Sequence, residues 1–259
     1  MIDSIWNGFL VALSLYSAIP VPQVEWKKDT MKYAVAFMPV VGLVIAGLEA
    51  LWLLLCSRMG VTQLLYACGA AAIPVLVTGG FHLDGFVDTC DALCSYGDRQ
   101  KRLEILKDPH IGAFGVIWLV ALSVLRVGLY AQVWAAPARI SLVLCGYLLA
   151  RVLGGSMIVM VRPAKNSGLA HLFAENAEKK PVRIAFLIWF AVLAVLTVCF
   201  GRLAGGLMLI ALLALRVLVQ RQFMRIFGGM TGDLCGFTIT LCELTALVFA
   251  AFGGLAVGV

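Results

Sequence analysis

Long runs of apolar residues alternate with short charged segments along this chain. A helix needs about 20 mostly apolar residues to cross a bilayer, and seven runs are that long or nearly so. They cover 33–56, 61–80, 111–133, 137–161, 184–200, 203–219 and 234–256. An eighth run, from Ile5 to Ile19, is short and is closed by two prolines; a half-helix, an interfacial helix and a full crossing are all open for it. The pattern predicts an all-α, polytopic transmembrane helix bundle of about seven spanning helices plus a short N-terminal membrane-embedded or interfacial helix.

Composition excludes a water-soluble fold. Hydrophobic residues make up 62% of the chain and charged residues 13%, whereas soluble domains carry about a quarter charged residues. No soluble domain interrupts the pattern, so residues 1–259 are predicted to form a single integral membrane domain with the lipid bilayer as its surroundings. The net charge of +6 then reflects basic loops on one side of the membrane rather than a nucleic-acid partner.

The basic residues orient the predicted bundle. When the segment before residue 33 is placed inside, 14 of the 20 Lys and Arg lie in inside segments, chiefly 81–110 and 162–183. The outer turns hold three, Arg58, Arg139 and Arg202, and the remaining three lie within spans. Cytoplasmic loops are enriched in Lys and Arg, so the chain is predicted to lie in a membrane with its long loops in the cytoplasm.

An acidic cluster follows the second span, in the segment FHLDGFVDTCDAL (81–93). Asp84, Asp88 and Asp91 are spaced i, i+4 and i+7, which places them on one face of a helix. Like charges at this spacing repel, and apolar neighbours argue against a merely solvated acidic surface. Mg²⁺ prefers oxygen ligands and commonly binds a few carboxylates together with substrate phosphates. The cluster is therefore predicted to bind a cation, and His82 beside it is open to a structural role, general acid–base catalysis or phosphate orientation.

Two further polar segments lie on the predicted inner side. In YGDRQKRLEILKDPHIGAFG (96–115), Arg102 and Lys107 are candidate phosphate contacts, and an amphipathic surface helix is the alternative. In GGMTGDLCG (228–236), a glycine-rich turn leads to Asp233, which could cap the last span and join the metal site. Glu243 lies about 15 Å deeper in the same helix, where an acid is expected to be paired or functional.

These motifs in order resemble cobalamin synthase, that is, adenosylcobinamide-GDP ribazoletransferase. The resemblance is carried by GGFHLDGFVDTCDAL (79–93), RLEILKDPHIGAFGV (102–116), GGMTGDLCG (228–236) and FMPVVGLVIAG (37–47), and it covers nearly the whole chain. Two departures are Asp91-Ala92-Leu93, where many members have Gly after the Asp, and Phe237, where a small residue is common.

The resemblance implies a late step of coenzyme B12 assembly. A hydroxyl of α-ribazole or its 5′-phosphate attacks the diphosphate of adenosylcobinamide-GDP, GMP leaves, and adenosylcobalamin or its 5′-phosphate results, with Mg²⁺ as cofactor. On this basis the candidate residues take three roles. The expected metal ligands are Asp84, Asp88, Asp91 and Asp233; His82 and Asp91 are the expected catalytic residues; and Arg102, Lys107, Arg162 and Lys165 are the expected substrate contacts.

Other readings of the residues stay open at this stage. Prenyltransferases and CDP-alcohol phosphatidyltransferases also bind Mg²⁺ and a diphosphate through spaced aspartates, although no Ala-Arg follows Asp84-Gly85 as the second class usually requires. A transporter would place ionisable residues at mid-membrane, as Glu49, Glu243, Arg126, Arg151 and Arg216 would be. Association into a homo-oligomer is also open.

Overall fold

The computed structural model describes residues 2–165 and 167–253, and the described chain is a bundle of helices without strands. Eleven α-helices occur in this part: α1 Ile2–Tyr16, α2 Lys28–Met31, α3 Met38–Met59, α4 Gln63–Thr78, α5 Phe81–Cys94, α6 Arg99–Ile105, α7 Ala113–Trp134, α8 Ile140–Met160, α9 Leu169–Asn176, α10 Lys179–Ile226 and α11 Gly232–Phe252. The predicted all-α bundle is confirmed. The predicted end of the last span, at residue 256, lies outside the described residues.

Five helical segments are long and apolar enough to cross a membrane: Lys28–Met59, Ala113–Trp134, Pro137–Met160, Lys179–Ile226 and Gly232–Phe252. The predicted span 61–80 is not one of them by itself, because α4 has only 16 residues. It joins α5 across a 95° bend, and the bent pair would make a sixth span. Gly79 and Gly80 form the bend with φ of 61° and 81°, a left-handed conformation that residues with a Cβ rarely adopt.

The longest helical segment, α10, is broken near its middle. Arg202 has φ 48° and ψ −127°, which is not helical. The carbonyl oxygen of Thr197 occupies the space that a Cβ on Gly205 would take, although eight residues of straight helix would separate these positions by about 12 Å. The chain therefore folds back on itself at Arg202, as the two predicted runs 184–200 and 203–219 require.

The centre of the bundle is α8, which is buried along nearly its whole length and packs against α3, α10 and α11. Small residues allow these helices to approach closely: a Cβ on Gly154 would meet Ile239 of α11, and one on Gly155 would meet Met38 of α3 and Phe186 of α10. In lipid, where apolar burial alone gives no preference for a helix neighbour, such close packing holds helices together.

Two paired clusters of ionisable residues lie inside the bundle. Arg151 Nη1 lies 2.9 Å from Glu243 Oε1, and Arg126 Nη2 lies 3.5 Å from Glu243 Oε2. The hydroxyl groups of Tyr130 and Tyr147 donate to Glu49 Oε1 at 3.1 and 2.9 Å. Glu243 is thus paired, as expected for an acid at this depth. Arg216, another arginine within a predicted span, instead donates to Gln220 and Ser156.

The segments predicted to lie inside meet at one end of the bundle. Arg162 bonds to Gly228, Lys165 to Leu103, and Glu178 to Lys32. The predicted outer turns meet at the other end, where Arg139 Nη1 donates to the Ala251 carbonyl and Gly201 packs on Leu142. This grouping is the one that the distribution of Lys and Arg requires.

Helix α1 lies along the inner end and does not cross the bundle. In the middle of the helix, Gly8 packs on Tyr33 and Ala34, and Phe9 contacts Phe37 edge to face. At its end, Tyr16 contacts Phe81 and Phe173. The middle and the end of α1 therefore both contact residues of the inner end, which agrees with the interfacial alternative among the three left open for this segment.

Candidate active site

A cavity of about 240 Å³ opens at the inner end of the bundle. Its walls are the starts of α5, α9 and α11, the residues after α6, and the segment before α9. Four of the residues predicted from the sequence line it: Asp84, Asp233, Lys107 and Lys165. Carboxylates and ammonium groups from four separate parts of the sequence thus face one space.

Close packing of α5 on α11 brings the carboxylates together. A Cβ on Gly85 would lie 2.8 Å from both the Cα and the carbonyl oxygen of Asp233, and one on Gly236 would lie 2.7 Å from the carbonyl oxygen of His82. Each helix has a glycine where the other helix passes, so the two backbones touch. Asp84 and Asp233, each next to a contact point, consequently line the same cavity.

Asp88 lies one helical turn beyond Asp84 and is half-buried. It is close enough to Asp84, Asp233 and Asp91 for all three charges to act on it, with Asp84 the strongest. Negative charge is therefore concentrated where α5 meets α11. Thr231 partly relieves it, because its hydroxyl donates to Asp233 Oδ2 at 3.3 Å and also caps α11 by accepting from the Leu234 N–H.

Lys107 and Lys165 add positive charge to the wall of the cavity. Lys165 is half-buried, and its Nζ donates to the carbonyl oxygen of Leu103 at 2.7 Å. Burial lowers the pKa of the Lys165 ammonium below its usual range, the charge of Lys107 lowers it further, and Asp233 acts in the opposite direction. The two ammonium groups therefore lie close enough to repel each other, and an anion bound between them would relieve that repulsion.

The two predicted arginines have partners in the backbone instead. Arg162 Nε donates to the Gly228 carbonyl at 2.8 Å, and backbone hydrogen bonds of 2.9 Å on either side tie residues 162–164 to Met230. Arg102 donates to the carbonyl oxygens of Gly97 and Leu93, both at 3.3 Å. Neither lines the cavity. Their predicted substrate contacts stay predictions, and the observed contacts are those of side chains that hold loops in place.

Asp91 lies on the predicted face of α5, but its carboxylate is turned to the start of α7. Oδ2 accepts from the Gly112 N–H at 3.0 Å and Oδ1 from the Gly115 N–H at 2.9 Å. These are free amides of the first turn of α7, which has no cap from its own Gly112. Asp91 therefore caps a helix 21 residues further along the chain; its predicted metal and catalytic roles stay predictions.

His82 lies beneath the site and is not among the residues that line the cavity. Its side chain is 5% exposed, it stacks on Tyr16, and neither ring nitrogen has a hydrogen-bond partner among the described residues. Its predicted catalytic role stays a prediction, and this position favours a structural role in the join between α1, α5 and α11.

One ionisable residue of the cavity was missed from the sequence. His171, near the start of α9, lines the cavity with Asp84 and Asp233. It carries no local motif: a single histidine in a basic loop segment gives no signal, and only the contact of this segment with the glycine-rich turn at 228–232 brings it to the carboxylates.

Across residues 2–165 and 167–253, no group of three or more His, Cys, Asp or Glu is arranged to hold a metal ion by itself. The donor chemistry still fits Mg²⁺, because Mg²⁺ keeps several waters and typically takes one or two protein carboxylates together with substrate phosphates. Asp84 and Asp233, with Asp88 adjacent, supply carboxylates of that kind beside two lysines that suit phosphate.

Comparison with known proteins identifies the family of this chain. A family model described as cobalamin-5-phosphate synthase matches residues 8–251. An adenosylcobinamide-GDP ribazoletransferase of Lachnoclostridium phytofermentans is 33% identical over 240 residues, 93% of this chain and 91% of the relative. One of Clostridium perfringens is 32% identical over 246 residues, 94% of this chain and 96% of the relative. No solved structure matches the chain. The match over residues 8–251 and the similarity to these two transferases show that the chain is a transferase and belongs to the cobalamin-5-phosphate synthase family.

Proposed function

We propose that this enzyme transfers the phosphoadenosylcobinamide moiety of adenosylcobinamide-GDP to α-ribazole or α-ribazole 5′-phosphate and releases GMP, in a Mg²⁺-dependent reaction. The observation that carries the proposal is that two carboxylates, Asp84 and Asp233, and two ammonium groups, Lys107 and Lys165, line one cavity. The names of the relatives supply the substrates, and the cavity offers what a diphosphate transfer needs.

In this reaction a hydroxyl oxygen of the ribazole forms a bond to the phosphorus attached to cobinamide, and the bond from that phosphorus to the GMP oxygen breaks. Mg²⁺, when bound, neutralises charge on the diphosphate. Lys107 and Lys165, which line the same cavity, would hold the anionic oxygens and so fix the diphosphate relative to the incoming hydroxyl. Such transfers depend on positioning and charge neutralisation more than on covalent chemistry by the protein.

The proposal assigns Asp84, Asp88 and Asp233 to Mg²⁺ and Lys107 and Lys165 to the diphosphate. It assigns Asp91 to positioning: by capping α7, its carboxylate fixes the C-terminal half of α5. The cavity is proposed to face the cytoplasm of a bacterial or archaeal cell. This orientation is supported by the 14 Lys and Arg of the inside segments against three in the outer turns.

The test is a GMP-release assay on purified protein in liposomes with adenosylcobinamide-GDP, α-ribazole and Mg²⁺. Asp84→Asn and Asp233→Asn keep the side-chain shape but remove a charge each, and we expect both to lose at least about 100-fold in rate, the scale of a lost electrostatic contact to the transition state. Asp108→Asn is the matched control, because Asp108 lies at the same end but bonds only to exposed His110.

Mg²⁺-dependent GMP release that both cavity variants lose and the control keeps would support the reaction and the site together. GMP release that survives both substitutions would contradict the assigned site. A folded wild-type protein that releases no GMP from these substrates would overturn the proposed reaction.

A further inference from the structure

The three histidines of this chain have different surroundings. His82 is buried and lies outside the cavity. His110 has a side chain that is 89% exposed, with its Nδ1 2.7 Å from Asp108 Oδ1. His171 alone lines the cavity that also contains Asp84 and Asp233. The imidazole within reach of a molecule in the cavity is therefore that of His171.

A carboxylate accompanies this imidazole. Glu175 follows His171 by one turn of α9, and its Oε2 lies 3.4 Å from His171 Nε2, the pairing that i, i+4 spacing allows on a helix. The negative charge of Glu175 near Nε2 favours the form with the hydrogen on Nε2, and in that form the lone pair is on Nδ1. No residue of the described chain hydrogen-bonds to that nitrogen. In many enzymes a base activates the nucleophile, and a third group orients that base. His171 corresponds to the base in this arrangement, and Glu175 corresponds to the third group.

The proposed reaction leaves one task without a residue. The attacking hydroxyl must lose its proton as its oxygen bonds to phosphorus, and a proton acceptor must be near it. Asp84 and Asp233 are assigned to the metal ion, and Lys107 and Lys165 to the anionic oxygens. Of the ionisable groups that line the cavity, His171 is the one that remains.

We propose that His171 is the general base of this enzyme, placed by α9 on the cavity wall and oriented by Glu175. Its Nδ1 takes the hydroxyl proton of the ribazole while the oxygen–phosphorus bond forms, and GMP leaves with the electron pair of the broken phosphorus–oxygen bond. The imidazolium then returns the proton to solvent. This inference rests on the proposed function and names the residue that completes it.

The test compares His171→Ala, His171→Gln and Glu175→Gln in the full-length enzyme in liposomes, with His110→Ala as the matched control. General-base catalysis contributes about 10²–10⁴-fold. We expect both His171 variants to lose at least about 100-fold in kcat with KM for adenosylcobinamide-GDP changed less than about threefold. Glu175→Gln should lose less, because its carboxylate is exposed, and His110→Ala should retain wild-type kcat. Added imidazole should restore part of the rate of His171→Ala, where the side chain has left space, but not that of Asp84→Asn.

A purely structural or substrate-binding role would give another pattern. In the His171 variants, KM for adenosylcobinamide-GDP would rise while kcat stayed at the wild-type value, or added imidazole would restore none of the rate of His171→Ala. Either pattern in a variant that elutes as folded protein, or a His171→Gln enzyme with wild-type kcat, would overturn the assignment while wild-type GMP release kept the proposed reaction standing. Absence of GMP release from wild type would overturn the reaction and the assignment with it.

Discussion

The buried ion pair between Arg151 and Glu243 offers a sharp test of the bundle interior. Arg151 is fully buried, Glu243 is 9% exposed, and Arg151 Nη1 bonds both to Glu243 at 2.9 Å and to the Tyr147 carbonyl at 2.8 Å. Arg151→Met keeps most of the side-chain volume and removes the charge. Breaking a buried pair costs about 3–5 kcal/mol; since Arg126 remains 3.5 Å from the other oxygen of Glu243, we expect a loss near the lower figure, about 3 kcal/mol.

The stability losses of the Arg126 and Arg151 variants can be compared, which gives a second test of the same reasoning. Arg126→Met removes the longer contact and leaves the shorter one, so its cost should be the smaller of the two. In the double variant Arg151→Met, Glu243→Gln, the loss should fall short of the sum of the single losses by about 0.5–3 kcal/mol, the range seen for residues in contact.

Reversible unfolding in mixed micelles with increasing dodecyl sulfate, followed by tryptophan fluorescence, measures these differences. Arg58→Met is the control, because Arg58 is exposed in the last helical turn of α3 and its replacement should change stability by less than about 0.5 kcal/mol. If Arg151→Met unfolds at the same dodecyl sulfate fraction as Arg58→Met, or if the single losses add fully in the double variant, the pair does not stabilise the bundle and the reasoning fails.

Three further predictions concern the cavity and its supports. Asp91→Ala removes the cap from α7 and should destabilise the protein by about 1 kcal/mol; Asp91→Asn, which keeps one acceptor, should cost less in the same unfolding assay. Gly85→Ala places a Cβ 2.8 Å from the Asp233 backbone and should separate α5 from α11, so we expect the rate of GMP release to fall more than tenfold. Gly47→Ala is the control and should keep the wild-type rate, because a Cβ there would meet no atom within 4 Å. Mg²⁺ at 100 times its Kd should stabilise wild type by about 2.7 kcal/mol, measured as a rise in melting temperature, and should leave the melting temperature of Asp84→Asn unchanged. An equal rise in both proteins would contradict the assigned carboxylates.

The helices and their grouping at two ends could be predicted because each depends on local composition. An apolar run of about 20 residues crosses a bilayer wherever it lies in the chain, and the Lys and Arg of the loops report a side of the membrane without reference to packing. The bend between α4 and α5 is different. The apolar run continues from Val61 into Gly79-Gly80, and the glycines permit the 95° turn but do not require it. Packing of α5 on α11 and α7 selects the bent form over a straight span.

The candidate site also has features that depend on local structure and could be predicted, and features that depend on tertiary packing and could not. Helical spacing correctly placed Asp84, Asp88 and Asp91 on one face, because that relation is set by the α-helix itself. The same spacing could not show that two amides more than 20 residues away would take both oxygens of Asp91.

The basic residues show most clearly why the sequence could not predict every contact of the site. Four residues of the two inner segments 81–110 and 162–183 have the same formal charge: Arg102, Lys107, Arg162 and Lys165. Both lysines line the cavity, although Lys165 also donates to the Leu103 carbonyl, whereas both arginines lie outside the cavity and bond to backbone carbonyls. Arginine has several donors in a fixed fork and suits the carbonyls of a turn, whereas lysine is a single flexible ammonium. Arg162 is held by its contact with the glycine-rich turn at 228–232, and Arg102 by the carbonyl oxygens of Leu93 and Gly97. Neither contact can be recognised from the sequence. His171 lines the same cavity as Met230 and Asp233, and residues 162–164 are bonded to Met230. We therefore expect that variants which loosen this loop lose the rate of GMP release before they lower the stability of the fold.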